Sequence, residues 1–390
     1  MTEHLSRKLL LTGFVFLYSF FFSQNLKNLK IIGAEDGKPI PNARIILPAE
    51  IIYTNDDGVA LIPENTINLE VSKAGYQTEK LTQFIPIIKL KLSYRDIEEI
   101  KITNIDIKKL FEDVRDNYSK RYYSKPSLYD IIFKQKYTVD DKTNSLVIAE
   151  ARFWALSNAY NFKFSNREDY DKFVQIELNN IKYFKFIKSD LDSISQTNVK
   201  KNEVGGNFFL NYELRRILLH INVAGAKYSG KIVADDNNEQ TILFKIETMP
   251  GIKVEGTLLY NTIDKVITHY ELDFDQSGFP PYKVNDKNGK QYEFQAGTGT
   301  ISYDFYKKNN KYLPSQANIE SDGYITFNGE KHSRTYERKV TFQTFREAKN
   351  ESLPNRIDMT KNMWENIPNH EQKDSKIALS KEEQEFIDEK

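Results

Sequence analysis

Between Tyr228 and Phe345 the sequence repeats one pattern: strand-length runs rich in aromatic and β-branched residues, separated by short polar turns. The runs are QTILFKIETM, IKVEGTLLYN, KVITHYELDF, GTISYDFYKK, GYITFNG and RKVTFQTF. In GTISYDFYK, Ile301, Tyr303 and Phe305 alternate with Ser302, Asp304 and Tyr306, the period-two signature of a strand with one buried and one wetter face. Asn328-Gly329 is a strong two-residue hairpin signal. A chain patterned this way is committed to an antiparallel sheet. Its 23 Tyr and 25 Phe are side chains that suit pleated, half-buried surfaces.

The remaining segments fall around that sheet. From Leu26 to Leu92 short apolar runs (LKIIG, ARIILP, EIIYT, VALIP, INLEVSKAGY, IIKLKLS) are punctuated by Gly, Pro, Asn and Asp, which predicts a small β-sandwich. The period then changes. Ile107, Leu110, Phe111, Val114 and Tyr118 fall at helical spacing. SLYDIIFKQKYTV and SLVIAEARFWAL read as two strands around Asp140-Asp141-Lys142. Residues 165–225 are expected to be mostly helical or irregular, with a helical stripe of Phe209, Tyr212, Leu214, Ile217 and Ile221. Beyond Arg346 apolar content falls, Pro354 and Pro368 act as breaks, and SKEEQEFIDEK is expected to form a solvated helix. No internal repeat is evident. The predicted map is a leader over 1–23, a sandwich over 24–93, a connecting segment with a helix over 94–120, an antiparallel-sheet domain over 121–346 and a charged tail over 347–390. The fold class is mainly β or α+β, with a large curved antiparallel sheet and a few helices.

The leader follows from Arg7 and Lys8 preceding LLLTGFVFLYSFFF. A 14-residue apolar core after a short basic region reads as a secretory signal peptide, since spanning a bilayer takes roughly 20 apolar residues. An uncleaved anchor or a buried helix is the alternative. Cleavage is expected near Ser23–Gln24, although Phe21 is bulky for the usual small-residue site. No later segment is long and apolar enough to span. The chain has no Cys, so an exported product carries no disulfide and no lipidated Cys, and its domains rest on their cores. Removing Arg7, Lys8 and Glu3 with the leader leaves 53 Lys+Arg against 54 Asp+Glu. Such a neutral balance gives no sign of a nucleic-acid partner.

The motifs that carry chemistry elsewhere are incomplete here. Asn55-Asp56-Asp57-Gly58 resembles the start of a calcium loop. Counted from Asp56, however, the positions that need oxygen ligands hold Gly58 and Ala60, and the twelfth holds Ile67 in place of Glu. A turn between strands, with Gly58 at positive φ, is the expectation. GAKYSGKI places Gly225, Gly230 and Lys231 as a phosphate-binding loop would, but Ile232 stands where a magnesium-binding hydroxyl belongs, and a strand is expected to follow where a helix is required. His220, His269, His332 and His370 show no zinc-ligand spacing, and His220 and His269 are expected to be surface or packing residues. There is no Gly-x-Ser-x-Gly elbow. The carboxylates of Asp235-Asp236 and Asp273-Phe274-Asp275 sit at expected turns. A glycosidase-like pair built from carboxylates distant in sequence stays open. No catalytic, cofactor-binding or metal residue is assigned.

The first module carries enough marks to compare with a family. Gly33, Pro39 with Ala43, Thr54 with Gly58, and Gly75-Tyr76 fall where the carboxypeptidase-like regulatory domain has its pattern, and the resemblance covers about 70 residues. That resemblance implies a prealbumin-like β-sandwich of the Gram-negative envelope, non-catalytic and serving as an accessory or spacer. The remainder resembles exported envelope proteins in which this module precedes a helix and an antiparallel domain, mostly of unknown function. Its later hairpins are similar in strand rhythm to the half-barrel of lipoprotein-carrier proteins. Longer relatives with the module continue into an outer-membrane barrel; this chain ends in a charged tail, so a barrel receptor is not expected.

The sequence therefore predicts a non-enzymatic periplasmic or secreted protein, or one peripheral to the outer membrane, acting as a binding or scaffold module without a cofactor. Its expected partner is an envelope protein, a peptide or a lipid. The strand aromatics either form core against the helices or line a greasy surface that holds a lipid or peptide. The alternatives are a carboxylate-dependent hydrolase with an accessory sandwich, and a structural protein of envelope assembly.

Overall fold

Three two-residue turns set the register of the large sheet. Asp140-Asp141 (φ 51° and 59°) joins β9 (Ser127–Val139) to β10 (Lys142–Ala155). Asn309-Asn310 (φ 51° and 59°) joins β17 (Gln291–Lys308) to β18 (Lys311–Phe327), and Asn328-Gly329 (φ 51° and 84°) joins β18 to β19 (Glu330–Phe342). Positive φ at both central residues gives the turn whose twist matches that of paired strands. The structure is a computed structural model, describing residues 26–92, 103–160, 172–187, 208–236, 238–248, 251–285, 289–349, 353–358, 366–367 and 377–389. The predicted leader, its cleavage point and His370 lie outside the described residues.

The chain divides into two units, residues 1–93 with 375–381, and residues 94–374 with 382–390. In the first, β1 (Leu26–Gly33) lies between β4 (Val59–Pro63) and β7 (Ile87–Leu90) in a three-stranded sheet. A four-stranded sheet runs β3 (Ile51–Tyr53), β2 (Arg44–Ile46), β5 (Leu69–Ser72), β6 (Glu79–Leu81). Inward alternation from both sheets builds one core, in which Leu29, Ile31, Ile45, Ile62, Val71 and Leu90 are fully buried. Thr54 stitches it: its hydroxyl accepts from Ala43 N (2.9 Å) and donates to Ile40 O (2.8 Å). This is the expected sandwich, with one strand, β6, that the sequence reading did not single out.

The second unit is built on a 13-stranded sheet. Its order is β11 (Val174–Phe186), β10, β9, β19, β18, β17, β15 (Val266–Asp275), β14 (Lys253–Asn261), β13 (Glu239–Glu247), β12 (Lys227–Asp236), β8 (Thr103–Ile105). β16 (Tyr282–Asn285) adds to β17, and β20 (Arg346–Glu347) to β9. All pairs are antiparallel, and the β19–β9 pairing joins the early hairpin to the late meander. One face of the sheet is covered by α1 (Ile107–Asp116), α2 (Tyr118–Arg121) and α3 (Leu210–Ile221). Phe111 packs edge-on against Phe244 at 5.3 Å, and Phe208 lies 5.1 Å from Phe153. Asp106 caps α1 through Lys109 N (3.0 Å), and the predicted stripe Ile107, Leu110, Phe111, Val114 and Tyr118 is buried.

Three expectations need correction. The stretch expected to be mostly helical or irregular holds α3 but also the 13-residue strand β11. Its period-two pattern is broken by two register shifts, which place Asn179 and Lys182 as extra residues against β10; each flips the alternation that marks a strand. Asp235-Asp236 and Asp273-Phe274-Asp275 end strands β12 and β15 instead of lying in turns. The C-terminal helix α4 (Lys381–Asp388) is not fully solvated, since Glu383 and Phe386 are buried.

Candidate functional site

In the first unit, the acidic corner holds protein. Asn55 Oδ1 accepts from Asp57 N (3.1 Å) and Val59 N (2.9 Å), closing the turn on itself. Asn55 Nδ2 donates to Leu379 O (2.9 Å), and Asp57 Oδ2 accepts from Lys381 N (2.8 Å). Gly58 sits at φ 71°, and a Cβ there would lie 2.6 Å from Ile31 O, so both conformation and space require glycine. The corner therefore anchors residues 379–381. Replacing Asn55 by Ala is expected to cost about 1–2 kcal/mol, because the turn and the anchor lose their acceptor and donor together. Thermal melts with and without added calcium check this; a calcium-dependent rise in the wild-type midpoint would contradict it.

The second glycine of the phosphate-loop-like segment also has a packing reason. Gly230 lies within strand β12, where a Cβ would approach Ile105 and Ile107 to 2.9 Å. Lys231 is exposed on that strand, and no helix follows.

The described histidines of the second unit either meet carboxylates or are partly buried. His269 on β15, itself buried, meets Asp304 on β17 at 2.7 Å through Nδ1. His332 meets Asp140 at 2.8 Å, and that hydrogen bond holds the Asp140 carboxyl below its ordinary range. His220 lies in the last turn of α3, where burial and Arg216 lower its pKa. Among the described residues no three His, Asp or Glu side chains are grouped to hold a metal. Near the His269–Asp304 pair, Gln316 faces Asp304 across β17–β18, and its buried Nε2 has no hydrogen-bond partner among the described residues.

A polar cluster missed by the sequence reading lies beneath α3. Glu213 occupies the inward position between Leu210 and Ile217 and is only 2% exposed. Arg216 Nη1 donates to Glu213 Oε2 at 3.2 Å. Burial pushes the Glu213 carboxyl above its ordinary value while Arg216 pulls it down. Tyr270 and Tyr303, both fully buried, are raised well above the ordinary phenol value, first by burial and then by Glu213. The Tyr270 hydroxyl has no hydrogen-bond partner among the described residues. The signal was present in the periodicity: Glu213 stands three residues after Leu210 and four before Ile217.

The aromatic face of the sheet is the wall of a filled core. The cavity between sheet and helices, lined by Tyr118, Tyr122, Phe153, Phe305 and Tyr312 among others, has a volume of about 10 Å³, room for a single water. An open groove of about 480 Å³ instead lies between α1 and α3, lined by Arg115, Asp116, Asn211, Arg215, Leu219 and Asn222 among others. Leu219 is 60% exposed there, and Arg115 pairs with Asp116 at 2.7 Å.

No family model and no curated protein matches the chain. Among solved structures it is similar to a Bacteroides fragilis NCTC 9343 protein of unknown function, provisionally described as membrane-associated. The two are 8% identical with a TM-score of 0.15, over 82% of this chain and 97% of that one. A likeness at that level carries no argument about fold or function. Among the described residues no helix is long and apolar enough to cross a membrane.

Proposed function

We propose that the chain is an exported, non-enzymatic binding or scaffold protein of the cell envelope, with a first unit of the carboxypeptidase-like regulatory type as accessory module. One observation carries this reading. Among the described residues of the second unit, three buried ionisable groups have internal partners, Glu213 with Arg216, His269 with Asp304 and Lys182 with Glu150. Its open concavity is lined by arginine, asparagine and leucine from two helices. Groups already satisfied inside a fold stabilise and specify it, whereas a surface groove with an exposed leucine is what a partner can cover. The contact surface of this reading is the α1–α3 groove.

A photo-crosslinking residue placed at Leu219 in cells is expected to give a discrete adduct in the envelope fraction. Ile263, 69% exposed in the turn between β14 and β15, is the control. An adduct pattern at Leu219 matching that at Ile263 would remove the reading.

A further inference from the structure

The face of β9–β11 opposite the helices is also covered, and its cover reveals the chemistry it accepts. Leu146 and Ile148 point away from the aromatic core yet are 0% and 1% exposed. In register, Leu146 lies between Lys136 on β9 and Lys185 on β11, and Ile148 lies beside Lys134. The helix α4 engages those same cations. Glu383 pairs with Lys134. Glu382 pairs with Lys136 at 3.4 Å and accepts from the Thr143 hydroxyl at 3.1 Å. The Lys185 ammonium sits 4.7 Å over the Phe386 ring and donates to Phe386 O. The surface is thus an apolar strip flanked by Lys134 and Lys136 on β9 and by Lys185 on β11. Its occupant is an acidic helix with one buried aromatic: from Lys381 to Glu389 there are five carboxylates and one cation.

An eight-residue helix is too short to hold itself in water, since isolated helices under roughly 12–15 residues are marginal. Its order depends on this docking. A tethered segment competes with free partners through an effective concentration that reaches about millimolar for short flexible linkers. A helix that is intrinsically weak but tethered can be displaced by a longer one of the same chemistry.

We propose that this face is a binding surface for an acidic amphipathic helix of a partner protein, with a Glu-Glu-x-x-Phe spacing, and that α4 masks it in cis. The partner's helix would place its carboxylates on Lys134 and Lys136 and its aromatic ring under Lys185. This goes beyond the scaffold reading and uses a different surface, so neither result depends on the α1–α3 groove.

The probe is a fluorescent peptide with the sequence of residues 380–390, titrated by anisotropy into the full-length protein. Wild type is compared with the full-length double variant Glu383→Lys, Phe386→Asp, which undocks α4. The peptide is expected to bind the double variant at least tenfold more tightly than wild type. Binding should weaken with salt and should be lost when Lys134→Glu is added or when the peptide carries Phe386→Ala. Equal affinity for wild type and double variant, or indifference to the peptide's phenylalanine, overturns the proposal. Should the double variant fail to fold, hydrogen exchange on the wild type decides. Amides of α4 are expected to exchange at least tenfold faster than those of β9 and β10. Exchange of α4 only together with the sheet overturns it.

Discussion

Replacing Arg216 by methionine is expected to destabilise the second unit by about 2–3 kcal/mol at pH 7, and by clearly less near pH 5. The starting point is the 3.2 Å pair with Glu213. Removing one partner of a buried pair strands the other charge, at about 3–5 kcal/mol. The Arg216 side chain is 35% exposed, so solvent screening reduces that figure. The pH dependence follows from Glu213, whose carboxyl is raised above its ordinary 4.5 by burial, against the pull of Arg216. With a folded pKa above the unfolded one, the folded state binds more protons in between. The stability this contributes is complete below the unfolded value and lost as pH rises through the folded value. Without Arg216 the folded value moves further up, so the loss deepens toward neutrality and is relieved by acid. Denaturant melts of wild type and Arg216→Met at pH 5 and pH 7 check this. Adding Glu213→Gln to the variant should recover most of the loss at pH 7, because a neutral side chain replaces the stranded charge. A difference of equal size at both pH values would place the effect in packing, not charge.

The contrast between Glu213 and the rest of the fold shows what a sequence can convey. Period two and period 3.6 were legible wherever an element keeps one phase. The hairpins at Asp140-Asp141 and Asn328-Gly329, and the stripe from Ile107 to Tyr118, are of this kind. β11 was not legible because its two bulges reverse the phase within 13 residues. The order of the sheet was not legible either. The β19–β9 pairing links Phe342 to Ile131 across some two hundred residues, and no local pattern encodes so distant a partner. The tail was misread because its charges suggest solvation, whereas Glu383 is buried against a lysine that only the folded sheet supplies. The same holds for the acidic corner. Its turn is local, but its partners Leu379 and Lys381 lie more than three hundred residues away. Local geometry was therefore readable and remote partnership was not, and the candidate surfaces here depend on remote partnership.

Tyr122 is where remote partnership carries its largest consequence. Replacing it by phenylalanine is expected to cost about 2–4 kcal/mol, and by alanine about 5 kcal/mol or more. The β15–β17 ladder stops at His269–Asp304, which leaves the backbone of Ile267 without a neighbour on that side. The Tyr122 hydroxyl takes the missing place: it donates to Ile267 O (2.8 Å) and accepts from Ile267 N (2.9 Å). Next to it, Tyr123 N donates to Tyr312 O (2.9 Å), so residues 122–123 seal the sheet where two strands part. Phenylalanine keeps the ring but leaves a buried N–H and a buried C=O unsatisfied, each worth about 1–3 kcal/mol. Alanine also loses a ring that is 1% exposed, stacked on Tyr118 at 4.1 Å and edge-on to Phe305 at 5.0 Å, and large-to-small changes at such sites cost about 3–5 kcal/mol. Tyr118→Phe is the control. Its ring is as deeply packed, but among the described residues no hydrogen bond to its hydroxyl is found, so the expected change is under about 1 kcal/mol. Comparing the two tyrosine-to-phenylalanine variants by denaturant unfolding isolates the hydroxyl. Equal midpoints would mean that water replaces the phenol at Ile267 and that the seal is made by ring packing alone.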